Sequence, residues 1–544
     1  MKNTKKLFTG SMIALLAAGT LAGCGPKSGE DVYDKDGRLI LNLKNVYFDT
    51  WEGEDVYTEE INKKFNVKIK ASNYDYNDWD GNVYTAISGN NLGDAIHFNL
   101  KAYNFGTTYE EWVDDQIIKA LPDDATMASK WPNLKRVLDN VSNIDKLKID
   151  GKLYCIPISN DISNPNKDFS NFTYVYRRDW AKQIDENNKD KAGYTPIYKE
   201  GDVYTWEEFN RLVDAFKTNV KALSGGVEKA TAIVDERWGF PSVTNFYKDV
   251  PHCYAKDATG KAINAFTSDK YIEGLEVAKT FVKNGIYSGD QYNFKDTYAT
   301  KQYETGLAGI LYDNYSLANY ITLRREFKRN NKFVDLDDGT AFLKVKGPDG
   351  KFALEGTENW FSATMFNYDI SEQKMERILD IIDWLLTDEG TKFAIYGIKD
   401  YDYTIEDGEV VLSPTGWEKG ADGKYGNKPN GGKYLRYMAT LGNDTKSFDP
   451  YTDMDAFEIV NNWITEMKAA KEAGQLRVVK EPADIDWMTT PTKNEKTEDL
   501  LSAANVSATK YAFDAIKTID NYKKEFNTSF WQRVLEEINQ KLGK

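Results

Sequence analysis

Apolar and polar positions alternate over 38–48, Arg-Leu-Ile-Leu-Asn-Leu-Lys-Asn-Val-Tyr-Phe, closely enough to predict a first strand. A helix-like stretch over 58–65 follows, then a strand over 67–71 and a short one over 94–98. Strand and helix in alternation predict a parallel sheet with crossover connections, hence an α/β fold. Other helices announce themselves by their ends. Thr205-Trp206-Glu207-Glu208 reads as a capping box, with Phe209, Leu212, Val213 and Phe216 as the apolar face behind it. Ile272, Leu275, Ala278 and Val282 share one face of a helix that Gly285 can end. Ser371 starts another, stapled by Ile370 and Met375, whose face runs through Ile378, Leu379, Ile382, Leu385 and Leu386 until Gly390. No repeat of 20–50 residues interrupts the pattern.

The first 24 residues follow a different rule. Lys2, Lys5 and Lys6 precede an uncharged run from Leu7 to Gly23, and Leu21-Ala22-Gly23-Cys24 closes it. A charged start, a short apolar run and small residues at the end describe a secretory signal rather than a spanning helix. Leu-Ala-Gly-Cys resembles the lipobox of bacterial lipoproteins. That resemblance implies cleavage before Cys24, lipidation of its thiol and anchoring on the extracellular face of a cell membrane of Gram-positive type. Residues 1–23 are then the signal peptide, and 24–34 the lipidated tether.

The chain has 544 residues, more than one core usually supports, so two or more lobes are expected. Its 85 acidic against 70 basic residues argue against nucleic acid, whose binding depends on neutralising phosphates. Three cysteines make no disulfide framework; Cys155 and Cys253 could pair, but they read better as small buried residues. With only His97 and His252, most zinc sites and triads built on a histidine base drop out. Aromatic residues, 13% of a polar chain, are what a sugar-binding cleft needs.

Several short motifs fall in one order along the chain. They are Trp131-Pro132-Asn133-Leu134, then Asp150-Gly151-Lys152-Leu153-Tyr154-Cys155-Ile156-Pro157, then Tyr176-Arg177-Arg178-Asp179-Trp180 and Thr205-Trp206-Glu207-Glu208-Phe209. Lys283-Asn284-Gly285-Ile286-Tyr287, Glu304-Thr305-Gly306-Leu307-Ala308-Gly309, Asp383-Trp384-Leu385-Leu386-Thr387-Asp388-Glu389-Gly390 and Tyr396-Gly397-Ile398-Lys399-Asp400-Tyr401-Asp402-Tyr403 complete the series. In that order the chain resembles the extracellular solute-binding proteins of ABC importers, family 1, and especially their LipO and aldouronate-type lipoproteins. The resemblance implies a two-lobe, periplasmic-binding-protein-like (type II) α/β fold with a hinge and an interlobe cleft. The expected division is 35–155 plus about 305–365 for the N-terminal lobe, and 156–304 plus about 366–544 for the C-terminal one. It also implies an oligosaccharide ligand, two membrane permease subunits as partners, a monomer, and no enzyme activity. A secreted glycoside hydrolase or a carbohydrate-binding adhesin is the alternative, although no motif ties two carboxylates together as hydrolysis requires.

In parallel α/β lobes the cleft lies beyond the carboxyl ends of the strands. Aromatic and amide residues just after predicted strands are therefore the ligand-binding candidates: Trp51, Tyr74, Tyr76, Trp79 and Asn99, then Trp238, Tyr315 and Trp360. Arg177, with Arg178, is able to hold a carboxylate by paired hydrogen bonds, which would favour a uronate-bearing ligand; an ion pair with Asp179 is the alternative. Asp185–Asp190 spaces oxygen side chains like the start of a calcium loop. Lys191 stands at the seventh position and no glycine at the sixth, so a solvated turn is expected, and neither a metal nor a cofactor.

Overall fold

The computed structural model describes residues 30–44, 51–73, 79–98, 109–159, 169–293, 295, 297–406, 409–413, 430–441 and 454–544. Among the described residues four strand pairs stand apart as two-stranded ladders, and the other ten strands form two five-stranded sheets, each over its own core. The strands, in chain order, are β1 (Leu39–Lys44), β2 (Val67–Ser72), β3 (Ala95–Phe98), β4 (Ile156–Ser159), β5 (Phe172–Tyr176), β6 (Val203–Tyr204), β7 (Thr231–Asp235), β8 (Ala308–Asn314), β9 (Ala341–Val345) and β10 (Trp360–Phe366). The first sheet has the order β2-β1-β3-β10-β4 and the second β6-β9-β5-β8-β7.

Each sheet contains one reversed strand, and the reversal decides where residues end up. β10 runs antiparallel to β3 and β4, and β5 runs antiparallel to β8 and β9. Both are the strand entered just after the chain passes from one sheet to the other. Their first residues, Trp360 and Phe172, therefore lie at the carboxyl-terminal edge of the neighbouring strands, while the end of β5 points to the opposite edge.

The expected alternation of strand and helix holds. The helix α1 (Val56–Phe65) is capped by Asp55, whose side chain accepts from the Thr58 amide, and its Tyr57 and Ile61 are buried. In the second lobe α2 (Arg178–Asn188) and α3 (Trp206–Leu223) follow β5 and β6. Thr205 and Glu208 form the anticipated capping box, and Phe209, Leu212, Val213 and Phe216 are buried on one face. Ser268 caps α4 (Asp269–Lys283), and Gly285 beyond its end has φ +69°. The short helix α5 (Tyr298–Glu304) leads into β8. Ser371 caps α6 (Glu372–Leu385), with Ile370 and Met375 both buried in the first core. This helix stops earlier than the apolar pattern suggests. Thr387 caps a new helix, α7 (Asp388–Tyr396), and a Cβ on Gly390 would fall 2.0 Å from the Trp384 carbonyl oxygen, so the tight corner needs glycine.

The sheets also correct the expected lobe boundaries. Strands β8 and β9, within the segment expected in the N-terminal lobe, pair with β5 in the second sheet. Conversely, β4 belongs to the first sheet, and Ile378, Leu385, Leu435 and Ala439 pack in its core. Strand pairing is long-range, and a strand's own residues do not say which sheet it joins. The first lobe is thus built from the described residues of 30–159 and 357–441, and the second from those of 169–355 and 454–544.

One of the passages between lobes, 356–359, is tied down at both ends. Gly356 donates its amide to the Val479 carbonyl in the second lobe. Asn359 accepts from the Ser142 amide and hydroxyl, each at 2.8 Å, in the first. Near it Trp487 of the second lobe faces Trp360 (ring centroids 6.5 Å apart), and the Lys146 ammonium lies 5.2 Å from the Trp487 ring. Cys155 and Cys253 are buried, unbonded and in different cores, and burial pushes the Cys155 thiol up to about 12. Among the described residues no helix is long and apolar enough to cross a membrane.

Candidate functional site

At the carboxyl-terminal edge of the second sheet, β7 ends in Asp235 and the chain turns through Glu236-Arg237-Trp238-Gly239. Trp238 keeps 45% of its surface exposed. Its indole rests against Phe172 at the start of β5, with ring centroids 4.8 Å apart, and nears Tyr312 of β8 at 6.3 Å. Gly239 makes this approach possible, because a Cβ there would sit 2.8 Å from the Tyr312 ring. Asn245 donates to the Tyr312 hydroxyl (2.7 Å), and Lys248 nearby pairs with Glu355 (2.6 Å). Tyr298, at the start of α5, is exposed on the same edge. Flat rings with amide and charged groups around them suit a ligand that has apolar faces and many hydroxyls.

A buried polar layer holds this loop. Asp235 accepts from the Ser242 amide and hydroxyl, both at 2.8 Å, and the hydroxyl is also 2.5 Å from that of Tyr174 and 3.2 Å from that of Tyr287. Burial raises the Asp235 carboxyl to about 7 against the opposing pull of these hydrogen bonds. Glu236, also buried, accepts the Thr297 amide (3.0 Å), the Thr300 amide (2.9 Å) and the Thr300 hydroxyl (2.6 Å). Asp313, at the end of β8, lies 3.0 Å from that same hydroxyl and accepts the Asn314 amide at 2.7 Å. Burial first, and the nearby Glu236 charge second among the raising influences, bring its carboxyl up to about 6.

The first sheet presents a quieter edge. Trp51 is buried rather than open: its indole N–H donates to Asp55 (2.8 Å) and its ring meets Tyr434 at 5.4 Å. Trp360 is likewise buried, donating to the Ser142 carbonyl at 3.2 Å. His97, inside β3, meets the Ser362 hydroxyl at 2.8 Å, and burial lowers it to about 3, so it stays neutral. Two amide oxygens near these edges, Asn73 Oδ1 after β2 and Asn171 Oδ1 before β5, have no hydrogen-bond partner among the described residues.

Among the remaining candidates, Cys24, Tyr74, Tyr76 and Asn99 lie outside the described residues, and Trp79 opens the helix Trp79–Ser88. Tyr315 follows β8 at the right edge but turns inward, donating to the Leu311 carbonyl and packing on Tyr320 and Phe342. Arg177 is displaced outright. Because β5 is reversed, Arg177 stands on the far edge, where it grips Asp179 through Nε (2.7 Å) and Nη2 (2.6 Å) and lies over Trp180 and Phe327. Arg178 pairs with Asp202 and Asp338 on the same side. Asp185 sits inside α2 rather than in a turn, and its carboxylate ties down the following loop by accepting from the Tyr194 hydroxyl and the Ile197 and Tyr198 amides. Among the described residues no group of three or more His, Cys, Asp or Glu is arranged to hold a metal ion.

Sequence reasoning missed Phe172, Tyr312, Asn245, Glu236 and Asp313. Asp235-Glu236 directly after the apolar run Ala232–Val234, and Tyr312-Asp313-Asn314 after Gly309–Leu311, were the available signals. Acids and aromatics that cluster where a buried strand ends mark a place where the chain leaves the core for a functional edge.

Protein-family models give no match to this chain, and no curated protein matches it. Solved structures do. An alginate-binding protein, AlgQ2, solved without calcium ion, aligns over 93% of this chain and 98% of its own, at 14% identity and TM-score 0.62. A solute-binding protein from Bifidobacterium longum infantis, described as HMO binding and ABC-transporter associated, covers 93% and 98% at 13% identity and TM-score 0.61. The Streptococcus pneumoniae ABC-transporter substrate-binding protein FusA, solved with kestose, covers 92% and 98% at 16% identity and TM-score 0.59. The chain therefore has the two-lobe α/β fold of these solute-binding proteins along almost its whole length.

Proposed function

We propose that this protein is the substrate-binding component of an ABC importer, capturing an oligosaccharide outside the cell and delivering it to a pair of membrane permease subunits. The observation that carries the reading is Trp238, half-exposed on Phe172 and Tyr312 at the edge where α/β lobes bind ligands. An indole held open on two other rings offers a flat apolar face to the C–H surface of a sugar, and Asn245, which holds the Tyr312 hydroxyl, sets an amide beside that face for its hydroxyls. The structural neighbours, described as binding alginate, kestose and HMO, point to the same ligand class. With Arg177 committed to Asp179, a uronate-bearing ligand loses its support in this chain.

The mechanism is conformational. Sugar binds the second lobe's aromatic face, closure adds contacts from the first, and the ligand stabilises the closed form, a shift of population rather than catalysis. Asp235 and Glu236, both buried and held by amide and hydroxyl donors, are poor candidates for the paired carboxylates of a glycosidase. Lipidation of Cys24 would keep the trap near its permease and raise the effective concentration there. Calorimetry with kestose, alginate oligosaccharides and plant-wall oligosaccharides tests the reading, with small-angle scattering to follow closure. Binding and compaction by one of them is expected. Release of reducing sugar, or no binding across the set, overturns it.

A further inference from the structure

One hydroxyl stands between two carboxyl groups beneath the Trp238 face. Thr300 Oγ1 is 2.6 Å from Glu236 Oε1 and 3.0 Å from Asp313 Oδ2. A threonine hydroxyl has a single proton to donate, so it can serve only one carboxylate. Its other contact is a hydrogen bond only if the second carboxyl group carries a proton and donates to the threonine oxygen. The remaining partners say which one that is. Glu236 already accepts two backbone amides, from Thr297 and Thr300, as a buried anion requires. Asp313 has one, from its own neighbour Asn314.

We infer that Asp313 carries a proton that it donates to Thr300, that this proton ties the ends of β7 and β8 to the start of α5, and that ligand capture at the Trp238 face is stronger at mildly acidic than at neutral pH. With the proton in place, a continuous chain runs from Asp313 through Thr300 to Glu236, linking three elements. Without it, a buried and a half-buried anion face each other across one shared donor, and the link to α5 loosens. Trp238 is two residues beyond Glu236, and exposed Tyr298 is in the first turn of α5, so the aromatic face rests on this link.

The charged surroundings of Asp313 favour the protonated form. Glu236 faces it from the end of β7 and Glu304 from α5, while Tyr315 lies further along its own chain and stays neutral. Burial also pushes Glu304 up, to about 7, with Glu326 adding to the rise and Lys301 and Arg325 opposing it. The raised Asp313 carboxyl, at about 6, puts the transition within an ordinary extracellular range. For a raised acid the sign is fixed. The stabilisation is full below the unfolded value near 4, and is lost as pH climbs through the folded value.

As a positioning group, Asp313 is tested first without ligand, which keeps the outcome separate from the sugar-binding reading. Backbone amide exchange over 237–239 and 297–301 in the full chain, corrected for the intrinsic rate, should speed up several-fold between pH 5 and pH 7.5. Asp313→Asn, whose amide is a permanent donor to Thr300, should stay slow across the range, and Thr300→Val should stay fast. A wild-type profile without a step overturns the inference. So does a step that persists in Asp313→Asn, and one abolished by Glu236→Gln alone would move the proton to Glu236. The second arm rests on the proposed function. With kestose as probe, affinity should rise several-fold from pH 7.5 to pH 5.5 in the wild type and be independent of pH in Asp313→Asn. Exchange that behaves as stated while kestose affinity does not change with pH overturns the functional half.

Discussion

The two edges of the second sheet handle charge in opposite ways. On the far edge arginines hold the acids as ion pairs: Arg177 holds Asp179, Arg178 holds Asp202 and Asp338, and Arg324 holds Asp337. On the near edge Asp235, Glu236 and Asp313 are held by amides and hydroxyls, and two of them are shifted upward. Arginine pairs fix geometry and remain fixed over a wide pH range. Carboxyl groups held by neutral donors keep the option of taking a proton. The far edge is therefore suited to structure and the near edge, with its open aromatic face, to a response.

Four measurements would break or sharpen that contrast. Arg177→Ala should cost about 3 kcal/mol of stability, because it strands Asp179 and removes the guanidinium from Trp180 and Phe327, while leaving oligosaccharide affinity unchanged. Chemical denaturation beside calorimetry separates the two. Trp238→Ala should do the reverse, weakening sugar binding by about 1–3 kcal/mol with little loss of stability. Equal affinity for wild type and variant would remove the indole from the site. Glu208→Gln probes a cation-paired acid elsewhere in the lobe. Lys199 and the Thr205 amide hold Glu208 down to about 2, so its contribution is present above the unfolded value near 4.5 and disappears as pH falls. Being half-buried and within reach of solvent, it should be worth less than about 1 kcal/mol at pH 7 and nothing measurable near pH 2, by denaturation at both. Tyr298→Ala should move stability by no more than about 0.5 kcal/mol, so any affinity change beyond that would extend the ligand face to α5.

Local rules were legible in the chain, and long-range ones were not. Thr205, Ser268 and Ser371 each cap a helix through an i to i+3 contact, so a few residues contain the whole instruction. The direction of β5 depends on β8 and β9, more than a hundred residues away, and it alone sends Arg177 to the wrong edge for a ligand. Tyr315 and Trp238 look alike as aromatics after a strand. What separates them is whether the adjoining core has room: Tyr315 fills a gap beside Phe342, whereas Phe172 and Tyr312 already occupy the place below Trp238. Trp51 and Trp360 were drawn inward by particular acceptors, Asp55 and the Ser142 carbonyl, that no spacing pattern discloses.

The sealed thiols have a practical consequence. A chain begun at residue 25 keeps only Cys155 and Cys253, each enclosed in its own core and raised well out of the nucleophilic range. A single cysteine introduced at Tyr298 would then be the one thiol a maleimide dye could reach. Placed at the rim of the aromatic face, such a dye would turn the protein into an optical sensor for whichever sugar fills it, with no native cysteine to remove.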